Sequence, residues 1–210
     1  MFDFGEIRQA LESGNAQAVK KLVEAALGQD VSAETILNEG LIGAMSQVGE
    51  KFKKNEVYVP EVLVAARAMY AGLDVLRPIL VETGTKAVGK LVIGTVKGDL
   101  HDIGKNLVRM MFEGAGFQVI DLGIDVPESK FIDAVRTEEP DLLGMSTLLT
   151  TTMPAMKATI EALKVAGLRD KVKVIVGGAP VTQNFADAIG ADGYAPDASS
   201  AVELAKDLIG

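Results

Sequence analysis

Apolar positions recur at helical spacing through the first 82 residues, and then the period changes. Ile7 and Leu11 mark a first helix, and Val19, Leu22, Val23, Ala26 and Leu27 a second. Asn15 is placed to cap that second helix and Gly28 to stop it. Ser32-Ala33-Glu34-Thr35 opens a third, whose buried stripe is Ile36, Leu37, Leu41, Met45 and Val48. Pro60 sits where a first-turn proline belongs, ahead of Val62, Leu63, Ala66, Met69, Leu73 and Leu76. Four helices with short connections predict a bundle over residues 1–82. The polar, glycine-bearing stretch at 83–90 reads as a linker. Beyond it, short apolar runs at 91–96, 118–122, 142–146, 172–176 and 193–195 alternate with helical segments near 104–115, 128–138, 153–166, 182–189 and 198–209. Strands alternating with helices demand right-handed crossovers, so residues 91–210 are expected to be an α/β unit with a doubly wound, five-stranded parallel sheet.

Ligands of such sheets gather at the carboxyl ends of the strands. There the chain places His101 after the first strand and Asp121-Leu122-Gly123 after the second. Ser146 ends the third, and Gly177-Gly178 follows the fourth. His101 is the only histidine and there is no cysteine, so imidazoles and thiolates cannot build a zinc site. Whatever His101 ligates must bring most of its own donors, which points to a macrocyclic metal cofactor. A formal charge of −8 argues against nucleic acid or an anionic membrane surface as partner. No apolar stretch approaches a membrane span, the first residues lack a signal-peptide layout, and a cysteine-free chain fits the cytoplasm.

The blocks Asp99-x-His101-x-x-Gly104, Ser146-x-Leu148 and Gly177-Gly178, with 41 and 28 residues between them, resemble the cobalamin-binding signature of methionine synthase and of the small corrinoid proteins of methyltransferase systems. Each block alone is common; three at these intervals, each at a strand end, are specific. The likeness spans nearly the whole chain. The helical half resembles the family's N-terminal cap, and Gly49-Glu50-Lys51-Phe52 through Tyr58-Val59-Pro60-Glu61-Val62 its helix-turn-helix. The resemblance implies a cobalamin or related cobamide bound base-off, with His101 as lower axial ligand to cobalt and the loop residues Leu100, Asp102, Ile103 and Gly104 around it. Asp99 would accept a hydrogen bond from the other ring nitrogen, fixing the tautomer. A hydroxyl six residues after the signature serine completes the family's relay, and here that position is Thr152. Ser146, Leu148, Thr150, Gly177 and Gly178 would line a slot for the displaced nucleotide base, closed by Tyr194, Asp197 and Ala198. Within the cap, Tyr58 and Val62 are read as facing the corrin.

Plainer readings stand beside these. Asp102 is read as an acidic residue favourable at a helix N-terminus, Thr151 as part of an N-cap cluster, Gly94 as close packing, and Lys105 as solvated. Val59, Ala66 and Met69 are read as bundle core. The implied function is that of a methyl carrier cycling between Co(I) and methyl-Co(III). Its partners would be a substrate:corrinoid methyltransferase, a corrinoid:tetrahydrofolate or corrinoid:thiol methyltransferase and a reductive activation protein. The alternatives are the small subunit of an adenosylcobalamin-dependent mutase, against which the helical half counts, and a cobalamin-sensing regulator. The latter would need a basic recognition helix. A flavodoxin-like binding module shares the α/β fold but has no use for Asp99-x-His101.

Overall fold

The computed structural model describes residues 3–83 and 87–210, with the side chain of Val81 left out. The chain divides into two compact units, one running to Ala87 and taking in Gly114–Gly116, the other comprising Val88–Glu113 and Phe117–Gly210.

The first unit is helical: α1 (Gly5–Glu12), α2 (Ala16–Leu27), α3 (Ala33–Thr35), a π-helical segment (Ile36–Ile42), α4 (Gly43–Lys53) and α5 (Val59–Thr83). Asn15 caps α2 by accepting from the Ala18 N–H, and Ser32 caps α3 through the Thr35 N–H. The third expected helix is one helical run interrupted by the π segment. Its bonding between residues five apart is what lets Ile36 and Leu41 share a face with Met45 and Val48, all four buried. Arg8 donates from Nε and Nη2 to the Glu39 carbonyl inside that segment, at 3.0 and 2.8 Å. Leu37 is only half-buried. In α5, Val62, Ala66, Met69 and Leu76 are buried, but Leu63 is exposed because Ala65 and Ala68 complete the buried stripe instead. Of the expected linker, Thr83 ends α5 and Lys90 opens β1, while residues 84–86 lie outside the described part.

The second unit alternates β1 (Lys90–Thr95), α6 (Ile103–Gly114), β2 (Gln118–Asp121), α7 (Glu128–Glu138), β3 (Leu142–Ser146), α8 (Met153–Val165), β4 (Lys173–Gly177), α9 (Gln183–Ile189), β5 (Gly193–Tyr194) and α10 (Ala198–Ile209). The sheet is all parallel, in the order β2-β1-β3-β4-β5. This is the flavodoxin-like order, with its switch point between β1 and β3. Gly94 packs as expected: a Cβ there would lie 3.0 Å from the Phe131 ring. The register sets Thr95 opposite Ser146 and Ser146 opposite Gly177, with Tyr194 opposite Val176. The carboxyl ends of four strands therefore form one rim.

Candidate cofactor site

From that rim the chain after β1 turns tightly. Gly98 takes φ +85°, the Asp99 N–H returns to the Val96 carbonyl at 3.1 Å, and the buried Thr95 hydroxyl donates to the His101 carbonyl at 2.9 Å. The β2–α7 loop braces this turn. Asp125 Oδ1 accepts from the Gly98 N–H at 2.7 Å, and the Asp125 N–H donates to the Asp99 carbonyl at 3.0 Å.

The turn drives Asp99 completely into the interior while the His101 side chain stays 51% exposed. The two carboxylate oxygens divide their partners. Oδ1 meets the His101 N–H at 3.0 Å and its ring Nδ1 at 2.7 Å. Oδ2 faces the Leu148 N–H at 2.7 Å, the Thr147 hydroxyl at 2.9 Å, the Thr152 hydroxyl at 3.1 Å and the Leu149 N–H at 3.3 Å. Burial pushes this carboxyl up, but the Leu148 and His101 amides, the His101 ring and the Thr147 hydroxyl outweigh it and hold Asp99 well below the usual carboxylate range. An ionised carboxylate only accepts, so Nδ1 carries a proton, and in the neutral imidazole Nε2 is the nitrogen with the lone pair. No partner for Nε2 lies among the described residues.

The structure thus brings Asp99, His101, Thr152 and the backbone of Leu148 together. Thr152 begins α8 without capping it through its side chain, because its hydroxyl is engaged with Asp99, Thr147 and the Leu149 carbonyl. Thr147, lying between Ser146 and Leu148, carries no motif signal in the sequence, yet it is buried against Asp99. Ser146 is half-buried, while Thr150 and Thr151 are exposed in the turn before α8. Gly177 closes β4. Gly178, at φ +127°, is a glycine for a reason internal to the protein, since a Cβ would lie 1.8 Å from the Thr147 carbonyl oxygen. Tyr194 is half-buried at the end of β5. Asp197 caps α10, accepting from the Ser200 N–H and hydroxyl at 2.8 Å each, and Ala198 is buried in its first turn.

Two residues depart from expectation. Lys105 is buried, not solvated: its ammonium meets Asp121 Oδ2 at 2.5 Å and Asn106 Oδ1 at 2.8 Å, so the charge is matched inside the fold. Val62 is fully buried and offers no surface to a ligand, whereas Tyr58 is exposed. Asp102 stands before α6 and accepts from Asn106 Nδ2, in keeping with its reading as a helix-start residue.

Around His101 the loops expose apolar side chains: Leu100 is 68% and Ile103 76% exposed, with Leu148 and Leu149 nearby on the chain that clamps Asp99. A B12 binding domain model matches residues 89–203, and a second B12 binding domain model matches residues 4–77. The chain belongs to the corrinoid proteins. A dimethylamine corrinoid protein of Methanosarcina barkeri is 46% identical, over 97% of this chain and 96% of the relative. A corrinoid protein of Desulfitobacterium hafniense is 42% identical, over 98% and 96%. Among solved structures, the methanol:cobalamin methyltransferase complex from Methanosarcina barkeri aligns at a TM-score of 0.87, with 30% identity over 98% of this chain and 79% of that one. A cobalamin-binding protein from Desulfitobacterium hafniense aligns over the full length of both chains, at 0.83 and 34%.

The residues present fit the group that defines this family. A corrin brings four nitrogen donors of its own, so a site offering a single imidazole could hold it, and among the described residues no three acidic or imidazole side chains gather as a metal cage. The exposed leucines and isoleucine suit a flat, largely apolar macrocycle.

Proposed function

We propose that this corrinoid protein carries a methyl group between two methyltransferases, with the cobamide bound base-off and His101 Nε2 as its lower ligand. The observation that supports the reading is the division of labour at Asp99, which leaves a half-exposed imidazole with one nitrogen tied down and the other bare. A corrinoid held here supplies a metal centre that accepts a methyl group from one partner and yields it to another. The protein's part is to bind and orient. Asp99 fixes the ring and its tautomer, and Thr147 and Thr152 steady the carboxylate. Leu100, Ile103 and Leu148 would pack against the macrocycle, while Ser146, Thr150, Gly177, Gly178, Tyr194, Asp197 and Ala198 would line the slot for the nucleotide tail. Of Tyr58 and Val62, Tyr58 has exposed surface to offer.

Substrate activation belongs to the partners: a substrate:corrinoid methyltransferase, a corrinoid:tetrahydrofolate or corrinoid:thiol methyltransferase, and a reductive activation protein. Methylamine- or methanol-type donors are favoured by the likeness to the dimethylamine corrinoid protein and to the methanol:cobalamin methyltransferase complex. The same relatives match both halves of the chain, which weighs for a carrier and against a mutase subunit lacking the helical unit. Among the described residues no helix is long and apolar enough to cross a membrane. The test is reconstitution with hydroxocobalamin. The wild-type chain should give an imidazole-ligated spectrum and His101→Ala a spectrum without it; identical spectra would remove His101 as the ligand.

A further inference from the structure

The two threonine hydroxyls beside Asp99 lie 2.5 Å apart, closer than two oxygens approach without a shared proton. Each hydroxyl has one hydrogen to give. One of them must therefore donate to the other, and only the second is left to donate onward. If Thr147 gave its proton to Thr152, the latter would choose between Asp99 Oδ2 at 3.1 Å and the Leu149 carbonyl at 2.9 Å. The carbonyl is nearer, and Asp99 would then lose hydroxyl donation. If Thr152 donates to Thr147, the latter points its hydrogen at Asp99 Oδ2 at 2.9 Å, its other acceptor being the Leu149 carbonyl at 3.4 Å. That arrangement gives an ionised, fully buried carboxylate the donor it needs and polarises both bonds in the same sense.

We infer that Thr147 is the positioning residue in direct hydroxyl contact with Asp99, and that Thr152 acts through it, making the relay four-membered: Thr152 to Thr147 to Asp99 to His101. This rests on His101 being the axial ligand. A carboxylate that loses the Thr147 hydroxyl keeps more charge on Oδ1, grips Nδ1–H more tightly and makes Nε2 a stronger donor.

The experiment uses the full chain loaded with hydroxocobalamin and reduced to Co(II). The ratio of imidazole-bound to imidazole-free cobalt is read from nitrogen superhyperfine splitting in the electron paramagnetic resonance spectrum. Thr147→Val, nearly isosteric, should raise that ratio by about fivefold, a fraction of what a charge-assisted hydrogen bond is worth. Thr152→Val should raise it less, and the double variant should match Thr147→Val alone. Thr147→Ser should restore the wild-type ratio. Thr147→Ala compared with Thr147→Ser gives the same contrast without a buried methyl beside the carboxylate, and thermal unfolding of each apoprotein reports folding separately. An unchanged ratio in Thr147→Val, an effect of Thr152→Val as large, or additive effects in the double variant would overturn the assignment. An imidazole signal that survives His101→Ala would instead remove the ligand reading, and this inference with it.

Discussion

Gly178 and Gly104 belong to the same three-block signature, yet the structure gives them opposite mutational behaviour. A Cβ on Gly178 would sit 1.8 Å from the Thr147 carbonyl oxygen and 2.8 Å from its carbon, on a backbone held at φ +127°. The obstacle is main chain, bonded in turn through the Thr147 N–H to the Gly177 carbonyl at 3.2 Å, so no side-chain rotation relieves it. The backbone conformation costs an alanine about 1–3 kcal/mol, and forcing the strands apart about 1–3 kcal/mol more. Gly178→Ala should therefore lose roughly 4 kcal/mol, which at a urea dependence of about 2 kcal/mol per molar moves the midpoint down by about 2 M. A Cβ on Gly104, the second residue of α6, meets nothing within 4 Å. Gly104→Ala should leave the apoprotein unchanged or stabilise it by up to ~1 kcal/mol, while weakening hydroxocobalamin binding if the macrocycle lies against that backbone. Urea unfolding followed by far-ultraviolet circular dichroism decides the first part and titration with hydroxocobalamin the second. A Gly178→Ala protein unfolding at the wild-type midpoint, or a Gly104→Ala apoprotein losing more than about 1 kcal/mol, would refute the reasoning.

Asp99 is held below its unfolded value, so its contribution to stability is fully present above the ordinary carboxylate range near pH 4 and is lost as the pH falls below it. Urea midpoints measured from pH 5 to pH 2 should accordingly fall less steeply for Asp99→Asn than for wild type; parallel curves would contradict this. Lys105→Ala leaves Asp121 with Arg109, at 3.3 Å, as its remaining cation among the described residues and should cost about 3 kcal/mol, seen in the same unfolding assay as a loss far beyond that of an exposed lysine. Asp125→Ala removes the acceptor of the Gly98 N–H and should cost about 1 kcal/mol, while Asp125→Asn, which keeps an oxygen there and tolerates φ +51°, should recover most of it.

Much of this architecture is legible in the order of apolar residues, because strand and helix periods are local properties. The change of period after residue 82, the alternation beyond it and the helix starts at Asn15 and Ser32 all find their counterparts in the fold. The Asp99–His101 contact is also legible, since two positions on one turn are close whatever the rest does. What escapes is pairing between distant segments. Lys105 looks like a surface lysine until β2 brings Asp121 beside it, and Thr147 looks like filler between two motif residues until β3 and β1 pair at Ser146 and Thr95. The π segment escapes for another reason. Its apolar spacing of five between Ile36 and Leu41 breaks helical periodicity by one residue, which a search for spacings of three and four absorbs as scatter.

The uneven sharing of partners between the two oxygens of Asp99 has a thermodynamic consequence. With Oδ2 gripped by two amides and a hydroxyl pair, the carboxylate cannot rotate about its bond to Cβ, and Oδ1 presents a single fixed direction to the imidazole. The ring of His101 therefore has its rotamer selected before any ligand arrives. Ordering a free side chain on association costs on the order of 0.5–1.5 kcal/mol. Here that entropy is surrendered during folding, so a metal bound as proposed would meet a ring already oriented for it.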